Sequence, residues 1–211
     1  MLFHPMTNKK KIYICIIVAV GLAMLTAWLL RFCEVNKKAI RQEIQYFETG
    51  FPVPLEGDFM FIDRENTDGY SITVNNMRLV DCRELYLEHG EKMPEYEAFP
   101  AHKYCVLLDI TVENSGSEDG YIETGLMNLY NKSLALPIDY KIWKMIDENF
   151  KGSALKLRSN TTVSLTIPYT AQNLDEAMNQ EEINRRLKNE EFNLCVSEYP
   201  TVKQIKVKAE N

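Results

Sequence analysis

The sequence predicts a mainly β protein: an antiparallel β-sandwich of about seven strands, carrying short inserted helices and set behind an N-terminal transmembrane helix. Three observations carry that expectation. KYCVLLDITVENSG (103–116) alternates apolar and polar side chains and then stops in a turn. An uncharged run, Ile12–Leu30, lies far upstream of it. Short alternating segments of the same kind recur towards the C-terminus.

IYICIIVAVGLAMLTAWLL (12–30) is 19 residues long, about the length that crosses a hydrocarbon core roughly 30 Å thick. Lys9, Lys10 and Lys11 precede it and Arg31 closes it. Small residues do not stand at the spacing of a cleavage site, since Leu25 lies two places before Ala27, and the apolar run continues past it. An uncleaved signal anchor is therefore expected, in contact with the bilayer through residues 12–30. Leu30, Arg31 and Phe32 before Cys33 are wrong for a lipid-modified cysteine. Basic residues flank both sides, with Arg31, Lys37, Lys38 and Arg41 partly offset by Glu34 and Glu43. The weight of the first short flank predicts a cytoplasmic N-terminus (1–11) and an extracellular C-terminal domain at the cell membrane.

All 30 acidic residues follow Cys33, against 20 of the 24 basic ones, which leaves that part of the chain at −10. Nucleic-acid phosphate and anionic lipid repel such a domain, so no nucleic-acid partner is expected. Cys82, Cys105 and Cys195 lie in the soluble part and cannot all pair internally. Buried thiols without chemistry are the expectation, with one bridge among the three as the alternative, which would favour the outside location.

In EVNKKAIRQEIQYF, Ile40, Ile44 and Phe47 recur at helical spacing, so the membrane helix is expected to continue as a stalk before Gly50, Pro52 and Pro54. Residues 31–55 are read as stalk and linker, and 56–211 as the sandwich. The acidic turn after Asp63 lacks both the glycine and the closing glutamate of a calcium loop, so no metal site is read there. Tyr70, Ile72 and Val74 alternate, and the apolar phase then shifts to Met77 and Leu79, as a one-residue bulge requires. Asp81 and Glu84 have capping-box spacing ahead of a short helix that ends near Gly90.

The next strand turns Tyr104, Val106, Leu108, Ile110 and Val112 inward and Cys105, Asp109, Thr111 and Glu113 towards water, with Leu107 the exception. YIETGLMNLY and LPIDYKIWKMI are read as irregular strands, and TTVSLTIPY, FNLCV and KQIKVK as clear ones. Asn173 and Glu176 open an expected surface helix with a solvated charged face and a broken apolar stripe of Leu174, Met178, Ile183 and Leu187. Counted from Tyr70, the strands match an immunoglobulin-like sandwich.

Taken in order, RFCEVNKKA, ENTDGYSITVNNMRLV, RELYLEHG, YCVLLDITVENSG and EYPTVKQIKV make the chain resemble, over nearly its whole length, a bacterial membrane-anchored family catalogued as domain of unknown function five-zero-two-eight. The middle is also similar to secreted immunoglobulin-like domains whose hallmark is an Asn-Ser/Thr-Gly turn, here Asn114, Ser115 and Gly116. Where that group commonly has Pro-Gly before its late strand, this chain has Arg158, Ser159 and Asn160. The resemblance implies a telokin-like sandwich outside a bacterial cell, with no catalytic residues to carry over.

No nucleophile elbow, phosphate loop or zinc-binding helix is present in the sequence, and His89 is placed to serve a helix end. No enzyme, cofactor or metal is expected. Tyr and Trp combine apolar area with a polar handle, which makes Tyr86, Tyr96, Phe99, Tyr140 and Trp143 the candidate partner-binding residues, with covering the open end of a small core as their structural alternative. The functional expectation is a single-pass surface protein whose sandwich is a non-catalytic interaction or structural module with a protein partner at the cell surface. The alternatives are an extracytoplasmic hydrolase using acidic residues near the 88–103 connection, and a tethered subunit or sensor of a membrane complex.

Overall fold

The computed structural model describes residues 8–38, 42–60, 65–93, 103–116, 118–150, 152–171 and 179–210. The chain divides into two compact units, Met1–Arg41 and Gln42–Asn211.

The described residues of the first unit form one helix, α1 (Asn8–Lys38, 31 residues). At about 1.5 Å per residue it is about 46 Å long. Its Ile12–Lys37 portion has a mean hydropathy of 2.5 and is long and apolar enough to cross a membrane. Ile12, Ile17, Leu22, Met24, Trp28 and Leu30 are all exposed, so the helix is apolar on every side and has no single stripe of the kind that packs on a protein core.

The second unit is mainly β. Its strands are β1 (Ile44–Glu48), β2 (Val53–Pro54), β3 (Tyr70–Asp81), β4 (Tyr104–Asn114), β5 (Gly120–Glu123), β6 (Leu129–Tyr130), β7 (Ala135–Leu136), β8 (Ala154–Leu157), β9 (Thr161–Thr170), β10 (Phe192–Ser197) and β11 (Val202–Val207). Among the described residues three short α-helices intervene, α2 (Cys82–Glu88), α3 (Tyr140–Ile146) and α4 (Gln180–Asn189), with a 3-10 turn at Thr124–Leu126. The order β2-β3-β4-β9 forms one sheet, β1-β11-β10-β6-β7 a second, and β5-β8 a two-stranded ribbon. The first two are layers of a sandwich: Ile72, Val74, Val106, Leu108, Ile110, Val112 and Ile167 of one share a single core with Leu129, Phe192, Leu194, Val196, Ile205 and Val207 of the other.

The alternation read in β3, β4, β9, β10 and β11 is the alternation that faces this core, and the β3–β4 register shifts between Val74 and Asn76 where the phase change predicts a bulge. α2 forms as expected, with the Asp81 carboxylate accepting the N–H groups of Arg83 and Glu84.

Four expectations are corrected. The helix runs past Leu30 to Lys38, as expected, but residues 44–48 are strand and do not extend it: β1 runs parallel to β11, which satisfies its backbone, and it alternates exposed Ile44 and Tyr46 with half-buried Phe47. The globular unit therefore opens at Gln42. LPIDYKIWKMI contains a helix, because Asp139 caps the N–H groups of Lys141 and Ile142, and Ile142 and Trp143 turn inward. The outer face of β4 is dry at one end, where Cys105 and Leu107 pack with Cys82, Leu85, Tyr86 and Ile142 in a second small core. α4 is capped by Asn179, and its Ile183 and Leu187 are buried in the main core, so only its charged side is a solvent face. The expected cap at Asn173 lies outside the described residues.

The Asn-Ser-Gly turn has a structural cause. Asn114, fully buried, donates to the carbonyls of Glu118 and Leu157 while its own side-chain oxygen accepts the Gly116 N–H. Gly69 and Gly116 are pressed together: a Cβ on Gly69 would lie 2.4 Å from the Gly116 Cα. Asn160 supplies the left-handed residue before β9, at φ 56°.

Between the sheets lies the buried ion cluster of Lys203, which is 2% exposed. Its ammonium donates to the carbonyls of Pro54 (2.7 Å) and Leu55 (3.0 Å) and pairs with Asp58 (2.9 Å) and Glu56 (3.0 Å). Asp58 is itself buried and accepts the Thr201 N–H. Removing one partner leaves the other charge uncompensated, so Lys203→Met is expected to cost about 3–5 kcal/mol in chemical denaturation of the full chain in detergent micelles. Adding Asp58→Leu should recover part of that loss, and strict additivity of the two would contradict the pairing.

Candidate functional site

α2 and α3 both lie on the outer face of the four-stranded sheet, where their residues join those of β3, β4 and β9 around one cleft of about 380 Å³. Leu85, Glu88 and His89 line it from the α2 side, Ile146 and Asp147 from the α3 side, and Arg78, Leu107, Ser164, Leu165 and Thr166 from the sheet. Cys82 and Cys105 form a disulfide, with Cα atoms 5.5 Å apart, that fastens the first residue of α2 to β4. Thus one of the three soluble cysteine pairings is made, and Cys195 remains a buried free thiol. Burial, and then the nearby Glu198 charge, push the Cys195 thiol up to about 12, so it stays protonated at neutral pH.

The polar floor of the cleft is built on cross-strand register. Asp109 on β4 stands opposite Thr166 on β9. Thr166 Oγ1 donates to its Oδ1 at 2.7 Å, and Arg78 from β3 clasps both carboxylate oxygens, Nε to Oδ2 at 2.9 Å and a terminal nitrogen to Oδ1 at 3.0 Å. Burial works against the Asp109 anion, but the hydrogen bonds from Arg78 and Thr166 outweigh it and hold the carboxyl below the usual aspartate range. At the rim, His89 Nδ1 lies 3.0 Å from the Leu85 carbonyl. A carbonyl only accepts, so that nitrogen donates. Asp147 Oδ1 accepts the Asn149 N–H and closes the turn after α3.

The aromatic candidates separate. Tyr86 (3% exposed) and Trp143 (2% exposed) are core residues, the first in the small core under α2 and the second packed on Phe150 with ring centroids 4.9 Å apart. Tyr140 is 47% exposed, donates to the Gly125 carbonyl and stacks beside Trp143. Tyr96 and Phe99 lie outside the described residues. Sequence reasoning placed Asp109 on a wet face but missed its partnership with Arg78 and Thr166. Each strand's alternation marks these as outward residues, and only the register reveals that they meet.

Asp109→Asn should lower stability by about 1 kcal/mol at neutral pH, a modest figure because Arg78 is nearly half exposed. Since the folded carboxyl is depressed, its contribution is present above the unfolded pKa of about 3.9 and is lost as pH falls through the folded value. Denaturation curves of the two forms should therefore converge in acid. Replacing Cys82 and Cys105 together by Ala opens a loop with a sequence separation of 23 and should cost about 3 kcal/mol on the same assay.

No curated protein and no solved structure matches the chain. Residues 44–203, from the first residue of β1 to the buried lysine of β11, match a family described as Domain of unknown function (DUF5028). That span takes in both layers of the sandwich, the disulfide and the cleft, and the chain belongs to this family.

Proposed function

We propose that the chain is a single-pass anchored protein of the bacterial cell surface, with its N-terminus in the cytoplasm and its immunoglobulin-like sandwich outside, serving as a non-catalytic interaction module. The observation that carries the reading is a disulfide-bonded domain following a helix that is apolar on every side. Structural disulfides persist in oxidising compartments, and the Lys9–Lys11 cluster favours retention of the first flank inside. The arrangement of polar groups supports a binding role over a chemical one: Asp109 is committed to Arg78 and Thr166, and Asp58 to Lys203.

A hydrolase using the 88–103 connection draws on one observation, that Glu88 and Asp147 line the same cleft. Turnover of chromogenic glycosides or esters, abolished in Glu88→Gln, is the result that would establish it.

Protease treatment of intact cells should remove the sandwich and leave α1 in the membrane. Under non-reducing conditions Cys82 and Cys105 should resist alkylation until a reductant is added to the unfolded chain. Complete protection from protease, or free thiols at both positions, would overturn the topology.

A further inference from the structure

We propose that the cleft between α2 and α3 binds the carboxylate end of an amino acid or short peptide that carries an apolar side chain. The proposal rests on reading the sandwich as a binding module and names the ligand of that module.

Charge complementarity comes first. A guanidinium offers five N–H donors, and Arg78 spends only its Nε and one terminal nitrogen on Asp109. The remaining donors are held in a fixed plane beside the cleft, because the doubly bonded carboxylate braces the head group and Thr166 in turn braces the carboxylate. An arginine held this way meets an incoming carboxylate with its orientation already set, which lowers the entropy lost on binding.

The rest of the lining says what the carboxylate is attached to. Leu85, Leu107 and Ile146 give the cleft an apolar wall, the surface an aliphatic side chain would cover. Glu88 and Asp147 stand on the same cleft and suit an ammonium. A cleft with a cation braced by Asp109, an apolar wall and two further carboxylates matches a zwitterion with an oily side chain better than it matches a bare anion or a neutral sugar. At about 380 Å³ it lies in the size range of small-ligand sites. The Cys82–Cys105 disulfide holds α2 against β4, so one wall is covalently fixed before any ligand arrives.

The test is titration of the full chain in detergent micelles with Leu-Leu, followed by calorimetry and by the shift of the thermal midpoint. Saturable binding of Leu-Leu is expected, with at least tenfold weaker binding of Leu-Leu amide, which lacks the carboxylate. Arg78→Met should weaken Leu-Leu at least tenfold. Arg78→Lys, which keeps the charge and loses the fork, should weaken it by a smaller factor. Glu88→Gln should weaken Leu-Leu while leaving N-acetyl-Leu-Leu unchanged. Each variant's circular dichroism and melting curve are recorded, so that a folding defect is seen as such, and the amide comparison on the unaltered chain stands whatever the variants do.

Absence of saturation at tens of millimolar Leu-Leu, equal binding of the amide, or undiminished binding by a folded Arg78→Met would each overturn the proposal. These outcomes are independent of the protease result on intact cells, so the ligand and the topology fail separately.

Discussion

An ammonium withdrawn from water must be neutralised where it stands, and in this domain that requirement ties the two layers together. Lys203 projects from β11 of the five-stranded sheet and gathers the Pro54 and Leu55 carbonyls at the end of β2 in the four-stranded sheet, together with Asp58 and Glu56 beyond them. Hydrophobic burial alone is non-directional and tolerates sliding of one layer over the other. A buried ion pair with four named partners does not, because any slip strands a charge in the interior.

A second tie fixes the ribbon β5-β8 to the sandwich. The Tyr70 hydroxyl donates to the Leu157 carbonyl and accepts the Leu157 N–H, while Asn114 donates to the same carbonyl. The glycines follow from this crowding. Gly120 passes so close to Asn66 and Tyr70 that a Cβ would fall 2.3 Å from one and 2.6 Å from the other. Tight backbone approach at Gly69, Gly116 and Gly120 thus substitutes for side-chain packing at the junction of the three sheets.

The outer face of the four-stranded sheet is where the domain departs from a plain sandwich. One end of β4 is roofed by α2 and α3, which makes a small second core and turns a flat strand surface into a cleft. Seven-residue helices such as these are not stable by themselves. Aspartate caps at Asp81 and Asp139, apolar burial beneath, and the disulfide at the start of α2 hold them in place. The rigid wall and the braced arginine of the cleft are consequences of the same construction.

Features that depend on neighbours along the chain are legible in the amino-acid order alone: the apolar span from Ile12, the inner rows of β4, β9, β10 and β11, the bulge at Asn75 and the cap at Asp81. Hydropathy, alternation and side-chain capping act over a few residues and are legible as written. Tertiary structure decided what depends on partners distant in the chain. Ile44–Glu48 became a strand because β11 was there to pair with it, although its apolar spacing also suits a helix. Residues 140–146 became a helix because Asp139 caps them and a dry sheet end lay beneath, and Cys105 left the wet face because α2 covered it. Arg78, Asp109 and Thr166 meet only through the register of three strands, and register is a property of the assembled sheet, invisible to any one strand's composition.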